Sequence, residues 1–407
     1  MEKTDHFYAC FGGFGDQYWT QLTTPNFQGA CDCLTLCRVD AQTGAVSVCD
    51  QLHGLESPST LVVSPDQRYI YCGNEEHDFK GRGFGGGVTA AALDLNAEKL
   101  TLINQSFAAG ASTCYVALDR TGKYLLVANH GSKFYCSRFD IKDGEITPRA
   151  VRDEGCVSLF AIREDGGIGK LLDRLVLDGS GIDPIEHASA HPHSVVVDDE
   201  DFVIIPNKGG DNIWVCRLNR ETQKLDKLSV FQSDYGSSPR HACFVKNTPY
   251  VLIQNEYDGH LCSYRLDRST GTLERISRVD IMDPSVKGSA FSLLGADLHP
   301  WGIDVQVHPN GRFVYANNTQ RVVCQLELEP DTGVLTVKNH CVTNCDFMTR
   351  GIQIDREGQF LIVTCVASEK AVVYRIDQQT GALEPVSEPS LPTPTALRFL
   401  YPEEDRA

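Results

Sequence analysis

Alternating apolar and polar positions recur along the whole chain, and they recur as one cassette. An apolar strand leads into a polar turn of the Asp-x-x-Gly-Arg/Lys kind, and a strand opening on Tyr or Phe follows. The clearest copies are Tyr115-Val-Ala-Leu-Asp-Arg-Thr-Gly-Lys-Tyr-Leu-Leu-Val-Ala-Asn129 and Val305-Gln-Val-His-Pro-Asn-Gly-Arg-Phe-Val-Tyr-Ala-Asn-Asn318. Others run from Leu61 to Asn74 and from Ile352 to Thr364; worn copies lie at Val195 to Asn207 and Ala242 to Asn255. A truncated copy opens the chain at His6 to Cys10. Short strands repeating every ~40 to 50 residues predict a propeller or an array.

A second turn follows each cassette, at Asp40-Ala-Gln-Thr-Gly44, Asp267-Arg-Ser-Thr-Gly271, Asp331-Thr-Gly333 and Asp377-Gln-Gln-Thr-Gly381. Alternating strands flank it, as in Val372-Val-Tyr-Arg-Ile-Asp377, so one repeat reads as a four-stranded antiparallel meander. First strands begin near Ser59, Ser112, His193, Arg240, Gly302, Gly351 and Thr395, which predicts an all-β, seven-bladed β-propeller occupying residues 1–407 as one domain. The chain opens on a second-type strand and closes on a first-type strand. Those two ends are expected to pair in one blade and close the ring, removing exposed sheet edges. Two stretches break the rhythm. Residues 134–156 insert a hairpin-like segment into the third blade, with a turn at Asp143-Gly144. The run Lys80-Gly-Arg-Gly-Phe-Gly-Gly-Gly87 lacks the strand–turn–helix setting of a dinucleotide loop and reads as a blade loop.

Composition narrows the function. A formal charge of −17 argues against nucleic acid and anionic membrane as partners, and makes any basic cluster a local feature. No apolar run is long enough to cross a bilayer as a helix, and Met1-Glu-Lys-Thr-Asp-His6 lacks the regions of a signal peptide. The 16 cysteines are too sparse for a disulfide scaffold; they are expected to be reduced thiols in a cytoplasmic protein. Cys31-Asp-Cys33 with Cys37 lacks the paired spacing of a zinc site, so neither metal nor cofactor is expected.

Propeller topology then locates a site. Residues just before a first strand and just after a second strand converge at one mouth of the central channel. Before first strands stand His187, His191-Pro-His193, Pro239-Arg240-His241, His299-Pro-Trp301 and Arg350. After second strands stand Asn74, Asn129-His130, Asn207-Lys208, Asn255-Glu256 and Asn317-Asn318, with Glu75 and Glu256 the carboxylates there. Cationic and protonatable groups around a carboxylate suit an anionic substrate and proton transfer. Glu256 could then serve as general base and Arg240 could hold a substrate anion or a developing oxyanion. The repeated Asn is expected to close blade turns, and His308 falls at the opposite end of its strand.

The runs Ser189-Ala-His-Pro-His-Ser-Val195, Ser238-Pro-Arg-His-Ala242, Gln254-Asn-Glu256, Trp301-Gly-Ile-Asp-Val-Gln-Val-His-Pro-Asn-Gly-Arg312 and Thr349-Arg-Gly351 resemble the seven-bladed lactonase family. That family includes propeller-type 6-phosphogluconolactonases and 3-carboxy-cis,cis-muconate lactonizing enzymes. The resemblance runs from about Phe7 to Leu400 in blade order. It implies catalytic residues at His193 (or His191), Arg240 and Glu256, with His191, His241, Lys208, Arg350 and Trp301 around the substrate. The activity it implies is metal-independent hydrolysis of a small anionic sugar lactone such as 6-phosphogluconolactone. A carboxymuconate-type cycloisomerase and a non-catalytic binding propeller are the alternatives. One departure stands out: relatives tend to carry Arg after the sixth blade's second strand, where this chain reads Asn317-Asn318-Thr319, the nearest Arg being Arg321.

Overall fold

The computed structural model describes residues 5–15, 29–82, 85–131, 136–183, 187–286, 300–345 and 349–402. Among them, seven four-stranded antiparallel sheets follow one another as blades. Blade 1 takes its innermost strand, Pro394–Leu400, from the end of the chain and its other three, His6–Gly13, Leu34–Asp40 and Val46–Leu52, from the beginning. Tyr8 pairs with Leu400 and Phe11 with Leu397, so the two ends close the ring as the pattern predicts. The first and second strands of the remaining blades are Pro58–Val63 and Tyr69–Asn74, Thr113–Leu118 and Tyr124–Asn129, Val196–Val197 and Phe202–Asn207, Pro239–Phe244 and Tyr250–Asn255, Gly302–Val307 and Phe313–Asn318, and Thr349–Ile354 and Phe360–Cys365. Blade 4 has the shortest of these first strands. Pro192 has no amide proton to give a ladder, and only an isolated bridge to Asn207 extends the pairing.

Second strands are buried on both faces because blades flank them on either side, which is why they read as near-continuous apolar runs. One apolar cluster fills each gap between blades. Between blades 6 and 7, for example, Tyr315 and Val323 pack against Leu361, Val372 and Tyr374. Each large side chain buried there contributes about 1.5–3 kcal/mol.

The two recurring turns of the sequence meet across those gaps. The aromatic residue of one blade's second strand reaches the Gly-containing turn of the next: Tyr71 Oη donates to the Gly166 carbonyl at 2.8 Å, Tyr250 to Asp331 at 2.8 Å and Tyr315 to Gly381 at 2.7 Å. The Asp that opens the turn holds it from within; Asp377 Oδ1 accepts from the Gln379 and Thr380 amides and the Thr380 hydroxyl. The repeated Asn closes loops as expected, with Asn74 Nδ2 donating to the Glu56 carbonyl at 2.7 Å and Asn207 Nδ2 to that of Asp178 at 2.9 Å.

The inserted segment of blade 3 is a two-stranded ribbon, Cys136–Lys142 paired with Glu145–Val151, between strands that remain adjacent in the blade. Its turn has positive φ at both Asp143 and Gly144, the geometry that suits a tight hairpin. Residues 134 and 135 of that segment, and 83 and 84 of the glycine-rich run, lie outside the described residues. The expectation of reduced thiols needs one correction: Cys345 and Cys365 are disulfide-bonded. The fold brings their Cα atoms to 5.5 Å by running the loop ahead of blade 7 beside the end of its second strand. No helix among the described residues is long and apolar enough to cross a membrane.

Glycine at the hairpin turns answers two demands. Gly333 has φ +76°, and a Cβ there would lie 2.5 Å from the Tyr250 ring; Gly311 has φ +72° with open space around it. Gly311→Ala is therefore expected to cost about 1–2 kcal/mol of backbone strain. Gly333→Ala adds a clash worth about 1–3 kcal/mol more. Urea unfolding of the two variants measures the difference.

Candidate active site

A register slip repeated around the ring builds the mouth. In blade 5, Pro239 pairs with Asn255 and His241 with Gln254, leaving Arg240 as an extra residue. Blades 2 and 3 do the same at Ser59 and Cys114, and blades 6, 7 and 1 slip at the corresponding point. In blade 4 the Pro192–Asn207 bridge puts His193 at this position. Bulges re-aim side chains, and these do so inward. The equivalent residues are Ser59, Cys114, His193, Arg240, Ile303, Arg350 and Thr395, and all except Ile303 line the central cavity.

A second tier lies above. The amides of Phe14, Glu75, His130, Lys208, Glu256 and Thr319 each donate to the carbonyl that precedes a first strand, from Thr393, Ser57, Ser112, His191, Ser238 and Trp301 in turn. The two tiers place cations in the inner ring beside carboxylates in the outer one. Glu256 Oε1 accepts from Lys208 Nζ at 2.8 Å, and Oε2 from Arg240 Nε at 2.7 Å. All three residues are at least 95% buried. Truncating the carboxylate of such a group strands two cations out of water, a loss of about 3–5 kcal/mol.

Arg240 is fixed on a second side. Its Nη1 donates to the Ile303 carbonyl at 2.5 Å and meets His241 Nε2 at 3.0 Å. Guanidinium can only donate, so His241 Nε2 accepts, and its Nδ1–H donates to Asp304 Oδ1 at 2.9 Å. Burial, with Arg240 alongside, drives the His241 pKa down to about 4 despite Asp304. Among the described residues, Arg240 Nη2 makes no hydrogen bond. His193 is also held well below the usual imidazole range, first by burial and then by Arg240 and Lys208. Its ring stands 5.5 Å from that of His130 and 5.4 Å from that of His241, and its buried Nδ1 has no hydrogen-bond partner among the described residues.

Arg350 lies over the Phe14 ring at 5.1 Å and lines the same cavity. Its guanidinium makes no hydrogen bond or ion pair among the described residues. Burial and the Arg240 charge lower its pKa to about 10, against the opposing pull of Glu75 and Glu256. Glu75, on the blade 2 side, accepts from Ser59 Oγ at 2.7 Å.

The sequence-predicted residues therefore separate. His193, Arg240, His241 and Arg350 line the cavity, while Glu256 and Lys208 brace Arg240 from the tier above. His191 is turned away: its Nδ1 donates to the His130 carbonyl at 2.6 Å, and its ring packs on that of His130 at 4.3 Å. Trp301 stacks on Tyr257 at 5.2 Å, and the Tyr257 ring lies tilted against that of His187 at 4.5 Å; none of the three is among the residues that line the cavity. His299 lies outside the described residues. Thr319 stands in the outer tier, its Oγ1 accepting from the Trp301 amide at 2.8 Å, and Arg321 instead donates to the Cys345 carbonyl at 3.2 Å. His308 is at the far end of its strand and bonds the Gly358 carbonyl at 2.9 Å. Asp304, Tyr115 and Arg398 also line the cavity and were not singled out from sequence; polar residues alternating along first strands were the available signal.

Fold and site together define a seven-bladed propeller whose channel is cationic at one mouth. Residues 21–399 match the family described as "Lactonase, 7-bladed beta-propeller". The chain belongs to that family. A 6-phosphogluconolactonase of Formosa agariphila is 26% identical over 366 residues, spanning 85% of this chain and 88% of that protein. One from Pectobacterium carotovorum is 36% identical over 88 residues, 21% of this chain and 26% of that one. The fold is shared with the periplasmic gluconolactonase of Pseudomonas aeruginosa, at TM-score 0.78 and 21% identity over 97% of this chain and 99% of that chain. A protein from Lactobacillus plantarum gives TM-score 0.77 and 20% identity over 97% and 99%.

The neutral histidines make stability depend on pH. His241 takes its proton near pH 4 when folded and about 6.5 when unfolded, so between those values the unfolded chain binds more protons. Stability contributed by this residue is therefore complete above about pH 6.5 and falls as the pH drops towards 4, with a slope approaching ~1.4 kcal/mol per unit. His193 acts in the same direction. Urea midpoints measured across that window should fall less steeply for His241→Gln than for the native chain.

Proposed function

We propose that this chain hydrolyses a small anionic sugar lactone, with 6-phosphogluconolactone the first candidate. The observation that carries the reading is Arg350, a guanidinium in the channel with no carboxylate bonded to it among the described residues, lining the same cavity as Arg240. Two neighbouring guanidinium groups in a low-dielectric channel favour an anion strongly. Membership of the lactonase family and the likeness to proteins named 6-phosphogluconolactonase support the choice of substrate.

In the mechanism we propose, His193 is the base. It lines the channel and is held neutral by burial and by the Arg240 and Lys208 charges, so its imidazole can take a proton from water as that water attacks the lactone carbonyl. Arg240 and Arg350 hold the tetrahedral oxyanion and the anionic end of the substrate. Collapse breaks the ring C–O bond, and the imidazolium returns the proton to the departing ring oxygen, giving the open-chain hydroxy acid. No metal enters these steps. Sequence pointed to Glu256 as the general base; in this mechanism both of its oxygens are engaged by cations, and its role is to aim Arg240. Arg350, from the seventh blade, supplies a cation in a mouth that lacks the usual sixth-blade Arg.

The test is turnover of freshly generated 6-phosphogluconolactone, corrected for spontaneous opening, with chelator present. His193→Ala is expected to lower kcat by ~10²–10⁴-fold. Arg350→Ala is expected to lower kcat/KM by about 10–100-fold, the worth of one charged hydrogen bond. The acid limb of kcat/KM should lie below pH 6.5. Turnover unchanged in an Arg240→Ala/Arg350→Ala double variant would sink the reading.

A further inference from the structure

Blade 1 carries a second group of ligating side chains, on its outer strands and separate from the channel residues described above. Asp32 and Cys33 end the loop that leads into Leu34–Asp40, and His53 follows Val46–Leu52, the strand paired with it. Strand pairing thus brings together residues twenty positions apart. One ligating atom from each of Asp32, Cys33 and His53 lies within 4.8 Å of the other two. His53 Nδ1 is 2.9 Å from Asp32 Oδ1. Asp32 and His53 are open to solvent, with side chains 61% and 59% exposed, whereas Cys33 is 1% exposed beneath them.

We infer that Asp32, Cys33 and His53 form a site for a divalent transition-metal ion, zinc being the best match. A thiolate, an imidazole and a carboxylate are the donor types such ions take, and three of them leave a fourth tetrahedral position facing solvent. Hard ions such as magnesium and calcium prefer all-oxygen sites and are disfavoured by the sulfur. The surroundings are already organised for it. Gln51 Nε2 donates to the Cys33 sulfur at 3.7 Å, Thr35 Oγ1 lies 3.5 Å from it, and the Leu55 amide fixes the Asp32 carbonyl at 2.8 Å. Such outer contacts orient the groups that touch a metal. Sequence spacing alone hid the site, because the histidine comes from a neighbouring strand rather than from a close cysteine pair. A bound ion would clamp the two outer strands of the blade that closes the ring. It would act on stability, outside the channel chemistry.

The experiment uses the full-length protein, stripped with chelator and titrated with Co²⁺ and then with Zn²⁺. The expected result is one Co²⁺ per chain, with a thiolate-to-cobalt charge-transfer band that Zn²⁺ abolishes by displacement, and a higher Tm with Zn²⁺. His53→Ala, on an exposed side chain, should weaken binding at least tenfold, and Cys33→Ser should remove the band. Absence of stoichiometric binding, or less than a tenfold loss in His53→Ala, overturns the inference; the histidine variant decides the matter if Cys33→Ser does not fold. Lactone turnover is not a readout here, so the outcome is independent of the proposed activity.

Discussion

The pairing of His6–Gly13 with Pro394–Leu400 is the constraint on which the other blades depend. An open stack of seven sheets would leave two raw edges and no channel. Once the ends pair, every first strand is held against two neighbours, and the space they enclose becomes a shared wall. The side chains that would otherwise point into solvent from separate sheets then face one another across a few ångströms. Closure therefore creates the environment in which burial can neutralise His193 and His241 and can bring Arg350 into the channel with no carboxylate bonded to it among the described residues.

Electrostatics inside that wall run against the field outside. The chain carries a formal charge of −17, which repels an anion at a distance. Salt screens that repulsion within about 8–10 Å, whereas the channel cations act at contact. Lys208, Arg240 and Arg350 face Glu256 and Glu75, leaving the group with a net positive charge. Glu256 is what makes two of those cations tolerable in the absence of ligand, since each oxygen answers one of them. The same carboxylate restricts Arg240 to one orientation, so the guanidinium meets a ligand without having to be ordered first.

Much of this was legible in the residue pattern, for an identifiable reason. Strand period, turn chemistry and the spacing of the cassettes are local properties, and they carried the blade count, the closure and the convergence of His193, Arg240, His241 and Arg350 on one cavity. Which of two neighbouring residues points inward is another matter. His191 and His193 both precede a first strand, yet only the second falls on the bulge, and a one-residue slip in pairing leaves no trace in composition. The bond between Cys345 and Cys365 was hidden likewise, since it depends on how a loop passes the end of a strand. Glu256 could be placed at the mouth, but not the fact that both of its oxygens were taken.

The repeated bulge has a further consequence for how such a molecule can change. It offers one corresponding position, or socket, per blade, and six of the seven present their side chain to a common space. Here the sockets hold a serine, a cysteine, a histidine, two arginines, an isoleucine and a threonine. Exchanging the occupant of one socket alters what the channel recognises and leaves the packing between blades untouched. A propeller of this kind behaves as a fixed frame with a short, rewritable alphabet at its centre, which allows relatives of one architecture to diverge in chemistry by single replacements.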